Sequence, residues 1–182
     1  AEEAEEMLRV YEGNVTDGGL AIADLAAIAR GVEEMVDDRY IRSRVQQTQL
    51  LGRMLMDAGI PIVRPVGTHA VFLDAKAFLP HSDQDDVPAQ RLAAEIFVET
   101  GVRTMERGNV SKGRDHKTGK NFRPALELVR LTISRRVYSN DHMRAVADGI
   151  IRLWEKRESI KGLRFVYEPA KLRFFQGRFE PL

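Results

Sequence analysis

The chain has 182 residues and no cysteine, is 43% hydrophobic and 30% charged, and carries a formal net charge of +1. That composition excludes a disordered, collagen-like or coiled-coil chain and allows a real core, while the missing cysteines exclude disulfides, thiol catalysis and thiolate metal sites. No apolar run approaches the ~18 residues of a membrane-spanning helix, and the start Ala1-Glu2-Glu3-Ala4-Glu5-Glu6 is the opposite of a secretory signal, so no membrane is expected and the expected compartment is cytoplasmic.

Residues 2–9 read as a short helix with glutamates in its first turn, where the helix dipole favours negative charge. Val10-Tyr11 reads as strand, and Gly13 to Gly19, with Asp17-Gly18-Gly19, as a loop. From Leu20 the apolar residues Ile22, Leu25, Ile28, Val32 and Met35/Val36 fall three and four apart, the spacing of a helix face. The pattern runs on through Tyr40, Ile41, Val45, Leu50, Leu51, Met54 and Leu55, and Gly59 is placed to stop it. A pattern this long predicts either a break near Asp37-Asp38 or one spine helix.

Ile60–Arg64 and His69–Leu73 then read as strands joined by Pro65-Val66-Gly67, and His81 to Asp86 as an acidic connector. Pro88 suits the first turn of a helix over Ala89–Thr100, which Gly101 ends. Val102–Glu106 reads as strand, Gly108 to Asn121 as a long polar loop, and Leu126–Ile133 as strand. Asn140 or Asp141 is expected to cap a helix through Trp154, and the last twenty residues are strand-like and aromatic. Helices and strands mix without a βαβ repeat. The fold class is therefore α+β: a small, largely antiparallel sheet with helices on one face.

The net charge hides a split. Residues 101–182 hold 19 Lys and Arg against 9 Asp and Glu, and the first hundred hold 9 against 18. Such asymmetry can mark nucleic-acid binding, but these cations are spread through apolar segments such as Leu163-Arg164-Phe165-Val166 rather than run in blocks. Two complementary faces are the better reading. Gly108 to Asp115 has the glycine spacing of a phosphate loop but lacks its Lys-Ser/Thr pair. His81, Asp83, Asp85 and Asp86 lack the ligand spacing of a calcium loop, so no metal site is expected. His69, among apolar neighbours, reads as a hydrogen-bonded core residue. Arg130 lies mid-strand between Val129 and Leu131, where a buried cation needs an anion. That anion is an internal carboxylate or a ligand's, and spacing does not choose.

Several stretches carry a resemblance. Gly67-Thr68-His69-Ala70-Val71-Phe72-Leu73-Asp74, Val98 to Gly108 with its Met105-Glu106-Arg107-Gly108, Val129-Arg130-Leu131-Thr132-Ile133-Ser134, and Gly162 to Pro169 followed by Leu172-Arg173-Phe174-Phe175 resemble the C-terminal part of the tryptophanase/tyrosine phenol-lyase family. The resemblance runs from about Val10 to Leu182 and leans toward the phenol-lyase branch. It implies the small C-terminal domain of an aspartate-aminotransferase-like (fold type I) enzyme with a long connecting helix, residues 1–36 being the tail of the large domain and 37–182 the small domain. The implied activity is β-elimination: an aromatic amino acid is split into a leaving group, pyruvate and ammonia. The rival readings are tryptophanase-like or other amino-acid lyase specificity, and a catalytically silent scaffold subunit.

The resemblance assigns Arg107 to the leaving ring, as the catalytic residue, and Arg130 to the substrate α-carboxylate. It makes Phe174 and Phe175 a cover over the ring and places His69 at the substrate. It implies pyridoxal 5′-phosphate, held mainly by a partner chain that carries the Schiff-base lysine, because none of the seven lysines here stands in the family's Lys-Lys-Asp stretch. A monovalent cation such as K+ would sit outside this chain. The expected partners are thus a complementary large-domain chain in a tetrameric or heterotetrameric-type assembly and a small-molecule amino acid, with no nucleic acid. Asn14-Val15-Thr16-Asp17, Thr68 and Ser134 depart from the family pattern.

Overall fold

The computed structural model describes residues 21–115, 117–134, 137–169 and 172–182. The helix, strand and loop expected up to Gly19 and the Asn14–Asp17 departure lie outside the described residues. The chain divides into two units, residues 1–43 and residues 44–182. No helix among the described residues is long and apolar enough to cross a membrane.

Helix α1 (Ile22–Met35) and helix α2 (Asp38–Asp57) are separated where the sequence predicts a break. Asp37 makes the break: its Oδ1 accepts the backbone N–H groups of Arg39 at 2.9 Å and Tyr40 at 3.1 Å, capping α2. Those donors hold the Asp37 carboxyl below its ordinary pKa. Gly59 ends α2 with φ +76°. There the N–H of Ile60 bonds to the carbonyl of Leu55 and that of Gly59 to Met56, both at 2.9 Å, which is the glycine-dependent C-terminal motif.

Three short strands, β1 (Ala70–Asp74), β2 (Met105–Arg107) and β3 (Leu128–Thr132), form an antiparallel sheet in the order β1-β3-β2. Between β1 and β2 lie the single turn α3 (Ala75–Phe78), a 3-10 turn over Gln84–Asp86 and helix α4 (Pro88–Thr100). The turn α5 (Asn109–Lys112) follows β2, and helix α6 (Asn140–Glu155) follows β3. A second antiparallel pair, β4 (Leu163–Tyr167) and β5 (Arg178–Pro181), encloses the turn α7 (Arg173–Gln176).

Because side chains alternate along a strand, one face of the three-stranded sheet presents Val71, Leu73, Val129 and Leu131. These join Leu51, Leu55, Phe78, Leu92, Ile96, Ile150 and Leu153 in the main core. The helices α4 and α6 thus cover one face, the α+β arrangement expected. A smaller cluster of Val87, Val110 and Leu163, with Phe165, Phe174 and Phe179 against it, sits under the β4–β5 pair.

Several predicted elements shift. Ile60–Arg64 makes only the bridge Ile62–Leu73 beside β1, since Pro61 and Pro65 remove two ladder donors. The strand predicted over Val102–Glu106 begins only at Met105. The cap of α6 is Ser139 rather than Asn140 or Asp141. Its backbone N–H donates to His142 Nδ1 at 3.1 Å, and the His142 N–H donates back to Ser139 Oγ at 3.5 Å. The acidic connector is tied down by Arg123, which pairs with Asp83 and Asp85. Arg123 and Asn121 hold the Asp85 carboxyl below its ordinary pKa.

Candidate functional site

The sheet face turned away from the core carries the residues of interest. Arg130, at the centre of the middle strand, stands opposite Phe72 of β1 and Met105 of β2, and Arg107 stands opposite Leu128. Arg107 and Arg130 are therefore diagonal neighbours on one face, about 7–8 Å apart by sheet geometry. Flanking them, the His69 ring meets the Phe72 ring edge-on with centroids 6.4 Å apart. His69 is exposed, not a core residue as its neighbours suggest. The β1 ladder starts at Ala70, and only the backbone of His69 is tied in, its carbonyl accepting the N–H of Ile133 at 3.0 Å.

Arg130 is half-buried, yet no carboxylate pairs with it among the described residues. Its Nη2 donates to Met105 Sδ at 3.1 Å, a weak acceptor, and its Nε is buried without any partner. Arg107 is exposed, with neither ion pair nor hydrogen bond among the described residues. Two arginines thus share one open face without a neutralising anion among the described residues. Such a face suits a small anionic ligand with a planar carboxylate, which a guanidinium grips through two parallel bonds.

The other two predicted residues stand on a different element. Phe174 and Phe175 lie on α7, rings edge-on at 5.0 Å, with Phe174 packed on the smaller cluster and Phe175 76% exposed. The turn α7 packs against α5, which follows Arg107 directly. The sheet register brings Arg107 and Arg130 together; it does not put the phenylalanines on that sheet. Beside them Arg173, 8% exposed, stacks over Phe165 at 4.6 Å and pairs with Glu168 at 3.0 Å. Burial pulls its pKa down.

Beneath Arg107 lie two buried glutamates that sequence reasoning does not single out. Glu106 is 2% exposed and Glu127 fully buried. Burial pushes both carboxyls above their ordinary pKa, and the charge of Glu106 adds to the push on Glu127. Gln84 donates to Glu127 Oε1 at 2.9 Å, while Oε2 has no hydrogen-bond partner. A carboxyl whose folded pKa is raised binds its proton more tightly in the folded state, so stability is fullest below the unfolded value of about 4.3 and falls as pH rises through the raised value. Thermal unfolding followed upward from about pH 4.3 should therefore show the chain losing melting temperature relative to Glu127→Gln as pH rises. A difference that stays constant with pH would refute the linkage.

A separate cavity of about 620 Å³ opens between the end of α4, the end of β3 and the start of α6. None of the predicted residues lines it. Two of its ionisable groups are already engaged, Glu99 by Arg152 and Lys156, and His142 by the Ser139 cap. Among the described residues no group of three or more His, Asp or Glu is arranged to hold a metal ion.

Residues 20–149 match the model of the β-eliminating lyase family. The chain belongs to that family. It is 58% identical over 181 residues to a tyrosine phenol-lyase of Symbiobacterium thermophilum, covering 100% of this chain and 40% of that protein. Against a tyrosine phenol-lyase of Intrasporangium calvum it is 59% identical over 179 residues, 98% of this chain and 38% of the relative, and against one of Nostoc punctiforme 55% over 179 residues, with the same coverage. The chain thus spans about 40% of the length of the curated relatives it matches, and the match falls on their C-terminal part.

Whether these residues fit a Schiff-base cofactor turns on the lysines. Lys76, Lys112, Lys117, Lys120, Lys156 and Lys161 are all exposed. An amine that forms a Schiff base is activated by desolvation or a neighbouring cation in a pocket. Lys112 lines a cavity that Arg114 and Arg173 share, but among the described residues no lysine is desolvated as a Schiff-base amine would be.

Proposed function

We propose that this chain is the C-terminal, small-domain part of a pyridoxal-phosphate-dependent β-eliminating lyase of fold type I that splits an aromatic L-amino acid into its ring, pyruvate and ammonia. The cofactor and its lysine come from the large-domain part, as a partner chain or as the rest of a longer protein. Residues 1–36 belong to the large domain in this reading and 37–182 to the small one. The observation that carries the proposal is Arg130, a half-buried guanidinium on an open sheet face with no paired anion among the described residues. Of the two anions that spacing left open, this reading takes the ligand's carboxylate.

In this reading Arg130 grips the α-carboxylate and fixes the amino acid against the sheet. Arg107, on the next strand, stands where the ring leaves and favours the negative charge that develops on its oxygen. Phe174 and Phe175, on the neighbouring turn, exclude water from the ring. His69 and Phe72 close the other side of Arg130. The identity to tyrosine phenol-lyases supports a phenolic substrate. Helix α1 supports the missing partner: it buries none of its residues and leaves Ile22, Leu25, Ile28, Val32 and Met35 exposed. An apolar stripe of that length ordinarily meets another protein surface.

Complementation tests the proposal. The chain mixed with the N-terminal part of a full-length relative and pyridoxal phosphate should release pyruvate from L-tyrosine. The chain alone should release none and leave the visible spectrum of pyridoxal phosphate unchanged. A cofactor band formed by the chain alone, or inactivity of a mixture that demonstrably associates, would overturn it.

A further inference from the structure

Glu106 separates Met105, which touches Arg130, from Arg107. Its side chain points to the opposite face of the sheet, in register with core residue Val129. There the buried Glu127 carboxyl lies nearby, and the hydrogen bonds that Glu106 accepts come from backbone. Oε1 accepts the N–H of Gly108 at 2.7 Å and of Val110 at 3.1 Å, and Oε2 accepts the N–H of Ser111 at 2.9 Å. A four-residue helix is too short to hold its own geometry. Two of the donors that α5 leaves unsatisfied at its start, Val110 and Ser111, and the N–H of Gly108 before it are collected by this one carboxylate.

Gly108 tightens the arrangement. A Cβ at that position would come within 2.0 Å of Glu127 Oε2 and 3.0 Å of Glu106 Oε1. Glycine lets the backbone pass between the two buried carboxyl groups; any side chain there would have to displace the Glu127 carboxyl. The residue after Arg107 is thus clamped from both sides, and the two after that are hydrogen-bonded to Glu106 itself or adjoin it. Arg107 closes a three-residue edge strand: pairing with Leu128 sets its face, and beyond it the backbone runs into the residues that Glu106 holds.

We infer that Glu106 is a positioning residue for Arg107: through the backbone N–H groups of Gly108, Val110 and Ser111 it fixes the end of β2, so that the Arg107 guanidinium is held toward the departing ring. The inference rests on the role given to Arg107 above and adds the device that aims it.

The test is a double-mutant cycle in the full-length or complemented enzyme, using Glu106→Gln, Arg107→Ala and both together. Gln keeps the size of Glu but offers one acceptor and an amide that opposes the backbone N–H groups. Each variant is assayed with a phenolic amino acid and with an S-alkyl cysteine, whose thiolate leaves without help. Glu106→Gln should lower kcat for the phenolic substrate by about 10- to 100-fold, the scale of a misplacement near 1 Å. It should change turnover of the thiolate substrate, and inhibition by a ring-less amino acid bound at Arg130, less than about threefold. The double variant should be no slower than Arg107→Ala alone. Glu106→Asp, which keeps the charge and shortens the reach, should fall between Gln and the parent, and stands in if Glu106→Gln does not fold. Losses that multiply in the double variant, or that are equal for both substrates, would overturn the inference. Arg107→Ala with full phenolic activity and Glu106→Gln impaired would overturn the role given to Arg107, and this inference with it.

Discussion

Arg130→Ala should cut kcat/KM of the assembled enzyme by about 30- to several-thousand-fold, mostly through KM, while leaving the melting temperature of the chain within about 2 °C of the parent. The two halves of that expectation come from one observation. A guanidinium that holds a ligand carboxylate in a half-buried site loses about 2–5 kcal/mol of binding when truncated. A guanidinium with no carboxylate partner among the described residues, one bond to a thioether and an orphaned Nε adds little to hold the fold together. Removing such a cation is neutral or favourable for folding, unlike removal of one member of a buried ion pair. Arg130→Lys should recover only part of the loss, since an ammonium restores charge but not the planar fork. Steady-state kinetics and thermal unfolding of the same variants check both halves. A variant that melts far below the parent would make Arg130 a structural strut. Unchanged KM and kcat would favour the silent scaffold subunit.

How far the site was legible from sequence depended on what each residue's neighbours revealed. Arg130 announces itself because a cation flanked by Val129 and Leu131 breaks the apolar side of a strand, and the register confirms its central place. Glu106 breaks nothing visible: Met105-Glu106-Arg107 alternates in a way that conceals which side faces inward, and only pairing with β3 turns the glutamate into the core. Gly108 is the matching signal, and its meaning appears only once the chain is folded, when the Glu127 carboxyl fills the place of a Cβ. His69 misled because the apolar run around it continues past the point where the ladder starts. The turns α5 and α7 have too few residues to show a helical period, and α5 depends on a carboxylate outside itself. Ser139, Asn140 and Asp141 are all competent caps, and His142 chooses Ser139 by accepting its backbone N–H. The longer elements were legible because their signals are local. Asp37 breaks the helical pattern with its own side chain, and Gly59 and Gly101 end helices through φ values of +76° and +72°.

Phe78→Ala should be the most damaging single change to the fold, and it tests the frame on which both arginines depend. Phe78 is completely buried on the one-turn helix α3, directly after the strand that faces Arg130. Asp74 starts that turn, its Oδ1 accepting the N–H of Ala77 at 3.1 Å, and the N–H of Ala75 donates to the carbonyl of Glu127 at 2.8 Å. The turn is thereby locked to the head of β3, and Phe78 is its anchor in the core. Its ring meets Trp154 of α6 edge-on with centroids 4.9 Å apart, and on Trp154 the Arg157 guanidinium stacks at 4.0 Å. Truncating a fully buried phenylalanine costs about 3–5 kcal/mol, through lost transfer energy and the cavity left behind. In a domain of this size that is a fall in melting temperature of about 10–15 °C. Trp154 is the single tryptophan of the chain, so its emission reports the event directly, shifting to the red at lower temperature or denaturant in the variant. Phe78→Leu, which keeps most of the volume, should recover well over half of the loss. A Phe78→Ala chain that melts with the parent would mean that α6 does not hold the sheet through this contact. The common frame assigned to Arg107 and Arg130 would then need another anchor.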